Sequence, residues 1–280
     1  MNFSVLPSHL HAFAESANFI IKNRYGLPDG IVEQAIEPDI PLQPTLHWKT
    51  KTHYIACEVA ERPFPISIKQ QFADLVSTGQ PIRIIVAHPM ENGLSLKDYQ
   101  ADTKKSKMLG IGYMGVDDSK NGDIDYQGIS LALHITPINL KQFKNSLKPF
   151  VAEAYEHYML KGDPDVGLQK IGQLIENIIY NIAVQAKKKG LFTCSRFNPP
   201  SFIAQSLLID EMINANILDV PILGRCRDFA NDRNAVSHKA KSRKQAAEIE
   251  NKLKENFIIG TRILKDLPEK LKSKGYRIKP

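Results

Sequence analysis

Residues 165–190, "DVGLQKIGQLIENIIYNIAVQAKKKG", constrain the fold more than any other stretch. Leu168, Ile171, Leu174, Ile175, Ile178, Ile179 and Ile182 recur at steps of three and four, the period of one helix face. A stripe this long is stable in water only when other helices cover it. The Lys187-Lys188-Lys189 triplet and Gly190 suit a helix C-terminus, where cations meet the dipole and glycine ends the turn. The segments around it carry the same period. Residues 140–162, 199–218 and 221–238 read as helices, and 242–268 as a last one stopped by Pro268. Residues 146–268 therefore form an all-α bundle. Residues 269–280 read as a polar, basic, loose tail.

Before Pro137 the pattern is different. Residues 53–59, 81–89, 110–116 and 124–135 are short, β-branched runs bounded by turn signals, and they read as strands. Helical stretches separate them. One runs from a Ser8 N-cap to Gly26, one from residue 67 to Gly79, and one over residues 94–109. Alternating strands and helices make residues 1–138 an α/β domain with a mixed sheet.

Hydrophobic residues make up 42% of the chain and charged residues 24%, a balance that excludes a disordered chain. No run approaches about eighteen apolar residues, and the N-terminus lacks a basic segment followed by an apolar one. No membrane partner and a cytoplasmic location are expected. Cys57, Cys194 and Cys226 are scattered and read as reduced thiols. His9, His11, His47, His53, His88, His134 and His157 show no metal-ligand spacing. "GIGYMGV" displaces the third glycine of a dinucleotide loop, and Trp48 and Tyr54 read as packing residues. No cofactor is expected.

Charge separates the halves again. Residues 1–145 hold 14 Lys and Arg against 15 Asp and Glu, while residues 146–280 hold 23 against 15. The helical half is the one suited to a polyanion.

Within that half, "RDFANDRNAVSHKAKSRK" (residues 227–244) gathers Arg233, Asn234 and His238. Cleaving RNA without a metal requires a proton to leave the 2′-hydroxyl, charge to be balanced on phosphorus, and a proton to reach the 5′-oxygen. Histidine titrates near neutrality and serves as base or acid. A guanidinium forks onto two phosphate oxygens, and a short amide orients either partner. Asn234 and His238, four apart, share a helix face; Arg233 and His238, five apart, need a helix end between them or a second copy of the chain. Lys239, Lys241, Arg243 and Lys244 would hold the flanking backbone without reading sequence.

Arg233-Asn234-Ala235-Val236-Ser237-His238, in a basic helical domain and just before the last long helix, resembles the HEPN (higher eukaryotes and prokaryotes nucleotide-binding) family. The resemblance covers residues 146–268. It implies a metal-independent endoribonuclease that works as a homodimer with both motifs lining one cleft. It implies RNA as substrate, a toxin or anti-phage role, and an antitoxin or trigger protein as partner. Residues 168–184 look like the family's early helix, and there the resemblance makes Glu176 the acidic partner of Arg233, with Ser237 as a supporting residue.

The first half is similar to the restriction-endonuclease-like fold. Pro38-Asp39 and Glu58 follow its two-carboxylate pattern, which implies Mg²⁺ held by Asp39 and Glu58. The pattern breaks at Glu58-Val59-Ala60, where the lysine is missing; Lys69 would have to come from the next helix. A degenerate domain that senses a trigger or positions the substrate is the expectation. Two alternatives stay open. One is a non-catalytic nucleic-acid-binding module, with Arg233 and His238 satisfied by Asp228 and Asp232. The other is a Mg²⁺-dependent DNA nuclease using Asp39 and Glu58.

Overall fold

The computed structural model describes every residue except 195, 198, 200–202, 236–238 and 279; at 234 and 235 only the backbone is described. The chain divides into two compact units. The first is Met1–Ile135 with Lys239–Asn251, and the second is Thr136–His238 with Lys252–Pro280. The segment Lys239–Asn251 thus joins the α/β unit and not the helical domain that the sequence pattern places it in. The charge contrast survives the reassignment: the first unit holds 16 Lys and Arg against 17 Asp and Glu, the second 21 against 13.

The first unit is built on one six-stranded sheet in sequential order. Strands β1 (Ile31–Val32), β2 (Leu46–Lys49) and β3 (Tyr54–Val59) form an antiparallel meander. Strands β4 (Ile82–Pro89) and β5 (Gly112–Val116) continue parallel to β3, and β6 (Gly122–Tyr126) closes antiparallel. Helix α1 (His11–Tyr25) covers one face, placing Ala14, Ala17 and Ile21 in a core with Leu46, Trp48, Cys57 and Met114. Helices α2 (Ile66–Ser77) and α3 (Leu96–Leu109) connect the parallel strands. Ile68, Phe72, Leu75 and Leu109 pack with Ile82, Ile84 and Val86 on the other face. Both faces are covered, as a sheet with a parallel centre requires.

Several expectations are corrected here. Helix α1 begins after a 3₁₀ turn, with Leu10 and not Ser8 at its N-cap; Gly26, left-handed at φ 62°, ends it as read. Strands β1 and β2 were not legible. The last strand stops at Tyr126, because Gly128 turns the chain at φ 69° and Leu131–Leu133 tucks into the core as a 3₁₀ turn.

The second unit contains α4 (Lys148–Tyr155), α5 (Pro164–Lys188), α6 (Gln205–Asn214), α7 (Val220–Ala235) and the C-terminal part of α8 (Arg243–Ser273). A π-turn, Glu156–Leu160, follows α4, whose start is delayed to the Pro149 region. The apolar stripe of α5 is buried throughout, from Leu168 to Ala186. Helix α8 runs through Pro268. The lost hydrogen bond and ring clash cost about 3 kcal/mol. Leu264, Leu267 and Leu271, all fully buried, each return about 1.5–3 kcal/mol and outweigh it. The tail is anchored as well. Tyr276 is buried, Lys189 Nζ donates to the Gly275 carbonyl at 2.9 Å, and Gln185 bonds the backbone of Arg277 through both its donor and its acceptor. No helix among the described residues is long and apolar enough to cross a membrane.

Candidate active site

Two helices build the site of the second unit. Helix α7 carries Arg233 in its last turn, and α5 carries Glu176. Arg233 Nη2 donates to Glu176 Oε1 at 2.6 Å, with the two side chains 20% and 35% exposed. The guanidinium reaches that carboxylate by lying across Gly172, one turn earlier on α5. A Cβ at Gly172 would collide with Arg233 Nη1 and stand 2.9 Å from Cζ. Glycine weakens a helix interior by about 0.5–1 kcal/mol relative to alanine. Here it provides the gap through which Arg233 crosses.

The pair borders a cavity of about 390 Å³. Asn177, Tyr180, Gln205, Ser206 and Asn231 line it together with Arg233 and Glu176. Gln205 Nε2 is buried and has no hydrogen-bond partner among the described residues. A guanidinium has five N–H donors. One bond to Glu176 fixes its plane and leaves donors for a second anion. No group of three metal-ligand side chains occurs among the described residues.

Arg233 pairs with Glu176 and not with Asp228 or Asp232; Asp228 instead lies 4.0 Å from Arg227 Nε. Helix α7 is described as far as Ala235. Ser237 and His238 lie outside the described residues, and of Asn234 only the backbone is described. Gly172, Asn177, Tyr180, Gln205 and Asn231 were missed by sequence reasoning. Gly172 gave a signal, a glycine one turn before the acidic residue in the interior of a long helix. The others reach the cavity only through tertiary packing.

The basic run after the motif belongs to the first unit. Lys239, Lys241 and Lys244 are exposed. Arg243 is engaged: Nη1 donates to the Thr50 carbonyl at 2.5 Å, and the guanidinium stands 4.8 Å from the Tyr54 ring centroid. Glu250, two turns on, accepts from His53 Nε2 at 2.7 Å and from the Ser130 hydroxyl at 2.5 Å. Asn251 Nδ2 donates to the Gly79 carbonyl. These bonds tie the start of α8 to the α/β unit. They make Arg243 a docking residue within that unit.

The two-carboxylate pattern of the first unit resolves differently from its sequence reading. Asp39 is exposed in a turn, and the residue that β2 brings beside Glu58 is Thr45. The Thr45 amide donates to Glu58 Oε2 at 3.3 Å, and the Val59 amide donates to the Thr45 hydroxyl. Burial pushes the Glu58 carboxyl up, against the hydrogen bonds from Thr45 and Ser67. Glu58 lines a cavity of about 340 Å³ with Glu33 and Thr45, and neither Asp39 nor Lys69 reaches it.

Compared with known proteins, the chain matches no protein-family model, no curated protein and no solved structure.

Proposed function

We propose that the chain is a metal-independent endoribonuclease of HEPN type whose chemistry resides in the helical unit. The observation that carries this reading is the Arg233–Glu176 pair, 2.6 Å across two helices and bordering a cavity lined in part by Asn177, Tyr180, Gln205 and Asn231. In this mechanism His238 takes the proton from a 2′-hydroxyl. The 2′-oxygen attacks phosphorus, and the bond to the 5′-oxygen breaks as that oxygen gains a proton. Arg233 balances the charge on the phosphorane, in the plane that Glu176 and the Gly172 gap set for it. Asn234 and Ser237 orient the reacting groups. The cavity receives the adjoining base, stacked on Tyr180 and met by the amides of Asn177, Gln205 and Asn231.

One Arg and one His per chain are few for both proton transfers, so a homodimer through the helical unit supplies a second pair. Lys239, Lys241 and Lys244 hold the RNA backbone. The α/β unit, a degenerate restriction-endonuclease-like domain, senses a trigger or an antitoxin, and the protein acts in the cytoplasm as a toxin or anti-phage effector.

RNA cleavage by the full chain, with and without EDTA, tests the proposal. Cleavage that persists in EDTA and is lost in folded His238→Ala supports it. Cleavage abolished by EDTA moves the chemistry to a metal site. Absence of cleavage in both conditions leaves a binding module.

A further inference from the structure

At the carboxyl ends of the central strands, the α/β unit carries a second small cavity of about 230 Å³. It lies across three neighbouring strands. His88 on β4 pairs in register with Gly115 on β5, and Gly115 pairs with Asp123 on β6. Asp125, at an irregularity in the β5–β6 pairing, lines the same cavity. Tyr99 of α3 closes over the imidazole with ring centroids 5.6 Å apart, and Met90 completes the lining.

His88 is 1% exposed. Its Nδ1 stands 2.9 Å from the Pro89 carbonyl and 3.3 Å from Asn92 Nδ2; in the tautomer that donates to the nearer Pro89 oxygen, Nε2 of the neutral ring is an acceptor. That nitrogen is buried and has no hydrogen-bond partner among the described residues. Burial lowers the pKa of the imidazole, which keeps it in this neutral form. Asp123 accepts only from the neighbouring Ile124 amide, and neither carboxylate has a salt-bridge partner among the described residues. The pocket therefore sets two carboxylates and the imidazole against a single side-chain donor, the Tyr99 hydroxyl.

We infer that this cavity binds a small organic cation bearing N–H donors, a guanidinium or an alkylammonium. Three features select that class. The carboxylates of Asp123 and Asp125 supply charge, and the unpartnered imidazole nitrogen adds an acceptor set apart from them. Asp123 and Asp125 lie on β6 and His88 two strands away on β4, so a ligand with several separated donors meets them together. Tyr99 and Met90 give the carbon and π wall that a desolvated cation favours. The volume is below the roughly 300 Å³ at which drug-sized sites begin, so the ligand is small or is a single side chain. Gly115 keeps the floor open: a Cβ there would stand 3.3 Å from Met90 Cγ and 3.7 Å from His88 Cε1. The inference does not depend on the nuclease reading of the helical unit.

The test is calorimetric titration of the full chain with agmatine, putrescine, the peptide Gly-Arg-Gly, 1,4-butanediol and Mg²⁺. Agmatine is expected to bind saturably at one site and to shift the His88 ¹⁵N resonance of Nε2. Asp125→Asn should weaken it by about tenfold or more, the worth of one charge-assisted bond. Gly115→Ala, whose backbone lies outside the left-handed region, should abolish binding and leave the melting temperature of the free protein unchanged. Peptide binding equal to agmatine would assign the guanidinium to a partner chain, and binding of agmatine alone would assign it to a free amine. The inference is overturned if no cation binds at millimolar concentration. Equal binding of butanediol or Mg²⁺ overturns it too, as does undiminished binding by the folded variants. If either variant fails to fold, Asp123→Asn on the exposed edge strand takes its place, with the same outcomes.

Discussion

In the helical unit Arg233, drawn to 20% exposure, meets a carboxylate from another helix. In the α/β unit His47 and His88, each 1% exposed, have ring nitrogens with no hydrogen-bond partner. The two units also differ in charge, with 21 cations against 13 anions in one and 16 against 17 in the other. A guanidinium cannot shed its proton, so folding must give it a counter-charge. An imidazole can stay neutral, so a sheet can bury it unpaired and accept a pH-dependent cost instead. The helical unit therefore keeps a permanent charge at its cavity, while the α/β unit keeps acceptors.

The comparison breaks most visibly at Gly172. Gly172→Ala should raise the intrinsic stability of α5 by about 0.5–1 kcal/mol, because alanine is the better helix former. The same methyl displaces Arg233 from Glu176. If Arg233 meets the phosphorane, RNA cleavage should fall about 10²-fold, the cost of a misplacement near 1 Å. Arg233→Ala should fall further, by about 10²–10³-fold. Melting temperature and cleavage rate measured on the same samples separate the two effects. A Gly172→Ala protein that cleaves like the parent would show that the Arg233–Glu176 geometry is structural only.

The α/β unit should show its own signature in pH. Burial, then the nearby charge of Lys49, lowers the His47 pKa, and Glu37 and the Gln34 backbone oppose them without prevailing. Below its ordinary value of 6.5 the unfolded chain takes up a proton that the folded chain resists. The unfolded state then binds more protons, and stability drops as pH falls from 6.5 toward the folded pKa. Each such group costs at most about 1.4 kcal/mol per pH unit in that window. The raised Glu58 carboxyl acts in the opposite direction, since its folded form gains a proton before the unfolded one. Comparing His47→Phe with the parent cancels the Glu58 contribution. The variant should lose less melting temperature between pH 7 and pH 5.5, and equal slopes would refute the assignment to His47.

A third contrast lies within the basic run. Arg243→Ala should destabilise the α/β unit by about 1–2 kcal/mol, because it removes the bond to Thr50 and the contact with Tyr54. RNA affinity should stay within about twofold. Replacing Lys239, Lys241 and Lys244 together should do the reverse. The salt dependence of binding should fall by about 2 in slope, near 0.7 per phosphate on a single strand. Melting should hardly change. Chemical denaturation and fluorescence titration at several salt concentrations decide it, and a loss of affinity in Arg243→Ala would return that residue to the phosphate contacts.

The helical unit was the more legible of the two because its determinants are local. The period of Leu168 to Ile182 fixed α5, while Glu176 was named only through the family resemblance of that helix. What failed there was non-local: burial of Leu267 and Leu271 carries α8 past Pro268, and contacts with Lys189 and Gln185 hold the tail. The sheet hid more. Strand β2 is four residues long, and its hydrophobic Leu46 and Trp48 alternate with a buried His47 that reads as polar. Thr45 meets Glu58 only through the register of β2 on β3, which composition does not disclose. The row His88, Gly115 and Asp123 joins three strands, and its members are far apart in sequence.

The smallest expected effect concerns Glu33, where the α/β unit does hold a charge, through backbone and not through a cation. Its carboxylate accepts from the amides of Ser4, Val5 and Leu6 and from the Ser4 hydroxyl, at 2.6–3.0 Å. Glu33 sits at φ 46°, a strained conformation for a residue with a side chain. Burial pushes its carboxyl up, but the Ser4 hydroxyl and the three amides outweigh it and hold the pKa at about 2. This tether contributes stability above the ordinary 4.5 and loses it only as pH falls through about 2. At pH 3 the amides of Val5 and Leu6 should still exchange slowly in the parent and rapidly in Glu33→Gln, which keeps the strain and removes the charge. Glu33→Gly removes both, so relief of strain should offset part of the lost anchor and make its melting temperature the higher of the two. Global melting should move little in either, because the tether holds only the N-terminal segment. Fast exchange at Val5 and Leu6 in the parent at pH 3 would show that the amides hold the carboxylate too weakly to depress its pKa.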